Sequence, residues 1–177
     1  MSNITGVSQS IGLIKSSYKK YVSFGEKAVS SDYRMLIQQY PNLEYLIHAT
    51  QLPELKREII EDYGPHGVMF NQQGRYKNAV DITITFKEII TGEAYKCLRD
   101  WVRNKRYLDV WIGLMGESSP ESNEHNTLLC EDVWCELDAT DLSNEDNTTL
   151  IKPSGLLHVN WHSWVDAVPH TLEWAGA

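Results

Sequence analysis

Residues 80–86, Val-Asp-Ile-Thr-Ile-Thr-Phe, alternate apolar and polar side chains without a break. Apolar groups that recur at every second position can share one face only in a β-strand, since a helix would scatter them around its circumference. Val80, Ile82, Ile84 and Phe86 thus define a buried face, and Asp81, Thr83 and Thr85 a polar one. The alternation recurs three times. Over 107–114 it turns Leu108, Val110, Ile112 and Leu114 inward and Tyr107, Asp109 and Trp111 outward; over 129–139 it turns Leu129, Val133, Cys135, Leu137 and Ala139 inward; over 157–168 it turns Leu157, Val159, Trp161, Val165 and Ala167 inward.

Between the first two of these strands the period changes. Tyr95, Leu98, Trp101, Val102 and Lys105 recur at three-four spacing, with Thr91 placed to cap, Glu93 in the first turn and Arg103, Lys105 and Arg106 at the end. The pattern predicts a helix over about 91–105 with Tyr95, Leu98, Trp101 and Val102 toward the core. Four alternating strands with one amphipathic helix make a predominantly β domain.

The rest of the chain gives weaker signals. Segments 43–49 and 55–61 read as two strands flanking a turn at Pro53, and 31–39 as a short helix capped by Ser31 or Asp32 and stopped before Pro41. Residues 62–78 contain Gly64, Pro65, Gly67 and Gly74 and read as a long protruding loop, yet carry Tyr63, Val68, Met69, Phe70 and Tyr76. Loops seldom hold so many large apolar groups uncovered, so the chain or a partner must bury them. Residues 1–31 show no regular period and read as an extended arm that orders against something else. Segments 116–126, with Pro120, and 141–155 are polar loops. With no linker or repeat, the organisation is one domain over 1–177, an arm (1–31) followed by a β core with its helix (32–177).

The 177 residues carry a net charge of −8, with a pI near 5.2, which opposes a phosphate-binding groove but allows a wall past which nucleic acid slides. Neither a leader pattern nor a run of about 20 apolar residues occurs, so the expectation is a soluble chain made in the cytoplasm. Cys97, Cys130 and Cys135 lack CxxC spacing and read as free, buried thiols.

Catalytic chemistry finds little footing. His158 and His162 are four apart but lie in an alternating stretch without the glutamate of HExxH, so they read as a polar strand face and not a metal pair. Glu131, Asp132, Glu136 and Asp138 read as a solvated face and not a glycosidase pair. The phosphate- and nucleophile-loop motifs GxxxxGK[ST], GxGxxG and GxSxG are absent, and the reading assigns no catalytic, metal or cofactor residue. One face stands out: Trp111, Trp134 and Trp164 alternate with Asp109, Asp132, Glu136, His158, His162 and Asp166. Either the helix over 91–105 lies on these tryptophans or neighbouring subunits meet there; both readings stay open.

The run VDITITFKEIITGEAYKCLRDWVRNKRYLDVWIGLM resembles the central segment of contractile-tail tube proteins of bacteriophages, in which a strand leads into a helix with a central tryptophan, here Trp101, and a basic end. ELKREIIEDYGPHGVMFNQQG is similar to the preceding strand and extended loop of that family, and LCEDVWCELDATDLSNEDNTTL with LLHVNWHSWVD to its closing strands. The likeness spans about 43–166; the long arm and the segment 117–126 depart from it. It implies a small antiparallel β-barrel or sandwich flanked by one helix, related to type VI secretion tubes, in a virion tail subunit that is not an enzyme and has no cofactor. It further implies self-assembly into stacked hexameric rings around a channel for DNA during ejection, with sheath, baseplate and terminator proteins as partners. On that basis Tyr63, Val68, Met69, Phe70 and Tyr76 are subunit-interface candidates, with 43–49 and the arm as lesser ones, and Asp81, Thr83, Thr85, Glu131, Glu136 and Asp138 are candidates to face the lumen. A tube initiator or terminator, the tube of a secretion machine, and a small ligand-binding barrel are the alternatives.

Overall fold

The computed structural model describes residues 11–25, 27–114, 127–143 and 148–165. Two compact units divide the chain, 1–32 and 33–177. In the first, helix α1 (Ile11–Ser23) replaces the expected irregular arm, and none of its residues is buried. Polar residues between them make the apolar groups look scattered along the sequence, but Ile11, Ile14, Tyr18, Tyr21 and Val22 fall on one side of the helix at three-four spacing.

The second unit is mainly β. Its strands are β1 (Tyr33–Ile37), β2 (Ile47–Thr50), β3 (Arg57–Tyr63), β4 (Met69–Tyr76), β5 (Val80–Phe86), β6 (Leu108–Leu114), β7 (Thr127–Leu137), β8 (Ser154–Val159) and β9 (Trp161–Val165). Seven of them form one antiparallel sheet in the order β1-β6-β7-β8-β5-β2, with β9 also on β7. The sheet curls into a nearly closed barrel. Strands β3 and β4 form a separate two-stranded hairpin.

The expected helix over 31–39 is the strand β1. Met35 and Ile37 enter the core and Leu36 pairs opposite Trp111, so tertiary pairing with β6 overrides a local pattern too short to specify a helix. Residues Pro41–Leu46, half of the expected strand 43–49, form a 3₁₀ helix that spans the gap between β1 and β2 and inserts fully buried Leu43; Arg34 on β1 is ion-paired with Glu44 on this turn. The strands flanking Pro53 do not pair with each other: β2 joins β5, and β3 joins β4.

Helix α2 (Glu93–Arg103) buries Ala94, Leu98 and Trp101. Tyr95 and Val102 were expected in the core but are 44% and 41% exposed, because the burying arc is centred on Ala94, whose small side chain the stripe count passed over. Thr91 does not cap. Gly92 takes the N-cap in a left-handed conformation, and the Glu88 carboxylate accepts from the amides of Ala94 at 3.0 Å and Tyr95 at 2.6 Å. At the other end, Arg106 N–H donates to Trp101 carbonyl and Lys105 N–H to Val102 carbonyl. This is a Schellman closure with Lys105, at φ 49°, where glycine is usual.

Leu98 and Trp101 lie in one buried cluster with Phe86, Val110, Val133, Cys135 and Leu157. The helix therefore closes the barrel's apolar interior and does not bury Trp134 and Trp164, which remain 39% and 49% exposed. Strand β7 carries a bulge. Leu108 pairs Val133 but Val110 pairs Cys130, so β7 holds one extra residue at Asp132, φ 52°. The extra residue reverses the phase of the alternation, and Leu128 and Cys130 are buried where Leu129 was expected, while Ala139 lies exposed beyond the strand. Asn160 does the same between β8 and β9: Trp161 is 48% exposed and His162 is buried, the reverse of the expected phase. Leu114, expected inward, is 38% exposed at the end of β6. The predicted loop 116–126, Asp166 and Ala167 lie outside the described residues.

Two substitutions test this account of helix and core. Trp101→Ala is expected to lower unfolding free energy by about 3–5 kcal/mol in urea titration, since it empties a fully packed site. Lys105→Gly is expected to raise it by about 0.5–1 kcal/mol, because the left-handed cap then carries no Cβ penalty.

Candidate assembly surface

The hairpin begins at Arg57, reverses through left-handed His66 and Gly67, φ 62° and 75°, and returns to Tyr76. All seven residues of β3 are exposed. Antiparallel register sorts the side chains: Ile59, Glu61 and Tyr63 share one side with Met69, Asn71 and Gln73, and Glu58, Ile60 and Asp62 the other with Phe70 and Gln72. Gly74 adds flatness to this second side, where a Cβ would sit 3.0 Å from Glu58 Cβ. Tyr63, Val68, Met69 and Phe70 are 50–65% exposed, so the expected protruding loop is a strand pair with large apolar groups on both faces. A lone two-stranded ribbon is marginal in water, and exposed apolar groups on both sides leave it without a core of its own.

Tyr76 behaves differently from those four. Its hydroxyl lies 2.6 Å from His162 Nε2, and its ring meets Trp161 edge-on at 6.4 Å. His162 Nδ1 faces the Asn78 carbonyl at 3.1 Å. A carbonyl can only accept, so Nδ1 carries the hydrogen and Nε2 accepts from the Tyr76 phenol. The Asn78 amide donates to the Asn160 carbonyl at 2.8 Å. Tyr76 therefore roots the hairpin on the barrel, and His162 is a buried tie, 4% exposed, and not half of a metal pair.

A second feature lies on the barrel's outer side. Register places Asp81, His158 and Trp134 in one row across β5, β8 and β7, and Thr83, Leu156 and Glu136 in the next. His158 Nδ1 is 2.7 Å from Asp81 and Nε2 is 3.2 Å from Glu136, while its ring stacks on Trp134 at 3.8 Å. The imidazole thus separates the two carboxylates and ties β5 to β7 across β8. Asp138 accepts from the Ser154 hydroxyl at 3.3 Å at the end of this face, near Thr85, which pairs opposite Ser154. Of the lumen candidates, Asp81, Thr83, Thr85, Glu136 and Asp138 are brought together; Glu131, opposite Trp161 beyond the bulge, lies apart from them. The His158 clamp escaped the sequence reading because a strand alternation gives the face of a residue but not its cross-strand partner.

Among the described residues, no group of three or more His, Cys, Asp or Glu side chains is arranged to hold a metal ion. Burial pushes the Cys130 and Cys135 thiols up to about 12, so these two stay protonated at neutral pH. Among the described residues no helix is long and apolar enough to cross a membrane.

Components of tail-like particles with solved structures share this fold. The chain superposes on the anti-feeding prophage tube terminating cap with TM-score 0.64 at 13% identity, covering 80% of this chain and 93% of that one. It also matches a chain of the PVC sheath-tube complex of an extracellular contractile injection system, TM-score 0.62 at 13% identity, covering 84% and 97%. A chain of the native gene transfer agent virion gives TM-score 0.55 at 7% identity, covering 78% and 99%. Neither a protein-family model nor a curated protein sequence matches. The resemblance to contractile-tail tube proteins thus holds at the level of the fold.

His162→Ala removes both bonds at the hairpin root and leaves the Tyr76 phenol unpaired. The expected loss is about 1–3 kcal/mol in urea titration, with amide exchange over 57–76 accelerating more than in α2.

Proposed function

We propose that this protein is a non-enzymatic structural subunit of a contractile-type tail or injection tube, and that it assembles as stacked hexameric rings around a channel. The observation that carries this reading is the hairpin β3–β4, whose apolar groups on both faces need a neighbouring molecule, in a chain that shares its fold with tube and cap components. Covering Tyr63, Val68, Met69 and Phe70 contributes roughly 1.5–3 kcal/mol for each fully buried side chain. In the ring, the Asp81, Glu136 and Asp138 face lines the channel, and its negative charge keeps passing DNA from adhering during ejection. The subunit resides in the tail of a particle and meets sheath, baseplate and terminator proteins there.

The likeness to a tube terminating cap favours a second reading within the same class, a terminator ring used at one end of the tube. A ligand-binding barrel is disfavoured because Leu43, Phe86, Trp101, Val110 and Leu157, all buried, fill the interior.

Negative-stain electron microscopy over a concentration series separates these. Hollow tubes are expected of a main tube subunit, isolated rings of a terminator, and monomers at every concentration would overturn both. The Met69→Ser, Phe70→Ser variant is expected to melt at the same temperature as the parent, since both groups are exposed, and to form neither rings nor tubes.

A further inference from the structure

Two amphipathic surfaces of the described residues expose large apolar groups, and they are opposite in charge. Helix α1 presents the apolar stripe named above with Lys15 and Lys19 along one flank, and no carboxylate precedes Glu26 in the sequence. Ile11, Ile14 and Tyr18 on that stripe are 84%, 51% and 66% exposed. The remainder of the chain is acidic: residues 33–177 hold 12 Lys and Arg against 22 Asp and Glu, a balance of −10. Within it, the hairpin side formed by Glu58, Ile60, Asp62 and Phe70 sets two carboxylates beside two large apolar groups. Gly74 keeps that side shallow, because a Cβ there would also press on Ile60 at 3.3 Å.

We propose that α1 of one copy docks on this side of the β3–β4 hairpin of a second copy, its apolar stripe over Ile60 and Phe70 and its lysines toward Glu58 and Asp62. This deepens the ring reading by naming one subunit contact, and it rests on that reading only for the geometry in which copies follow one another. Charge selects the occupant: a helix bearing only cations along its flank is drawn by both carboxylates of that hairpin side, Glu58 and Asp62. Each copy carries one helix to give and one hairpin to receive, so the contact is head-to-tail. A head-to-tail contact propagates until it closes a ring or extends a filament, whereas helix-to-helix pairing would stop at a dimer.

The test uses full-length chains in a Cys97→Ser background, which leaves only the two buried thiols. A chain with Tyr18→Cys is mixed with a tagged chain carrying Phe70→Cys and treated with a short bismaleimide, and the same sample is imaged by electron microscopy. A link between the two kinds of chain is expected, and Met69→Cys, on the other side of the hairpin, is expected to link far less. Lys15→Glu with Lys19→Glu should lower the yield about tenfold at low salt, and Glu58→Lys with Asp62→Lys in the receiving chain should restore it. Links only between two Tyr18→Cys chains, equal linking to Met69→Cys, or no link alongside binding of the chain to vesicles rich in anionic lipid would each overturn the contact. Tubes without the link would sink the contact and leave the tube reading standing; the link without rings or tubes would do the opposite.

Discussion

The barrel turns at a hydrogen bond of 2.8 Å from the Asn160 side-chain amide to the carbonyl of Asp132. Asp132 is the extra residue of β7 relative to β6, and Asn160 is the residue between β8 and β9 that lies opposite it. Each interruption alone would leave one strand out of phase with its neighbour. Placed side by side, they reverse the phase of both strands together, so Leu128, Cys130 and His162 stay inward before the bend and Val133, Cys135 and Leu157 after it. The eleven residues of β7 can then serve β9 with one half and β8 with the other while β6 runs along the opposite edge. Gly155 belongs to the same requirement, because a Cβ there would meet the Glu136 carbonyl at 2.4 Å and push β8 off β7.

What this turn places inward and outward determines the surfaces. His162 faces inward because of the reversed phase, and only there can it hold both Tyr76 and the Asn78 carbonyl, rooting the hairpin. His158, two residues before the bend, faces outward between Asp81 and Glu136. The two histidines that look equivalent in HVNWH thus serve opposite sides of one sheet. Neither is placed for metal chemistry, since one is enclosed by a phenol and a carbonyl and the other has its two nitrogens committed to separate strands.

The regular parts of this arrangement were legible in the sequence and the irregular ones were not. The strand Val80–Phe86 and the burial of Leu98 and Trp101 follow from periods of 2 and 3.6, which any chain must obey to share a face. Leu129 and Trp161 were misplaced because a period count assumes no inserted residue, and Asp132 and Asn160 are ordinary polar residues with no mark of a bulge. Strand β1 was missed because five residues contain too few turns of any period to outweigh pairing with β6. The interface candidates Tyr63, Val68, Met69 and Phe70 were noticed by their incongruity, large apolar groups among glycines, though the segment is a ribbon and not a loop. The alternation around Trp134 could give its face but not the stacked His158, because cross-strand neighbours depend on register.

A hairpin with Ile59, Tyr63 and Met69 on one side and Ile60 and Phe70 on the other cannot be satisfied by a single flat contact. If one side receives a helix, the other still exposes three large groups and must lie against a different surface, so the ribbon would be enclosed between two neighbours. Enclosure on both faces would also supply what an isolated pair of strands lacks, a layer packed on each side of its ladder. The hairpin's order and the proposed assembly would then be linked by mass action: a lone subunit holds it by the root at Tyr76, Asn78 and His162, and each added neighbour would stabilise it further. In the proposed ring stack, such linkage would make joining a formed end more favourable than starting one, because the growing end would already present ordered hairpins to receive the next copies.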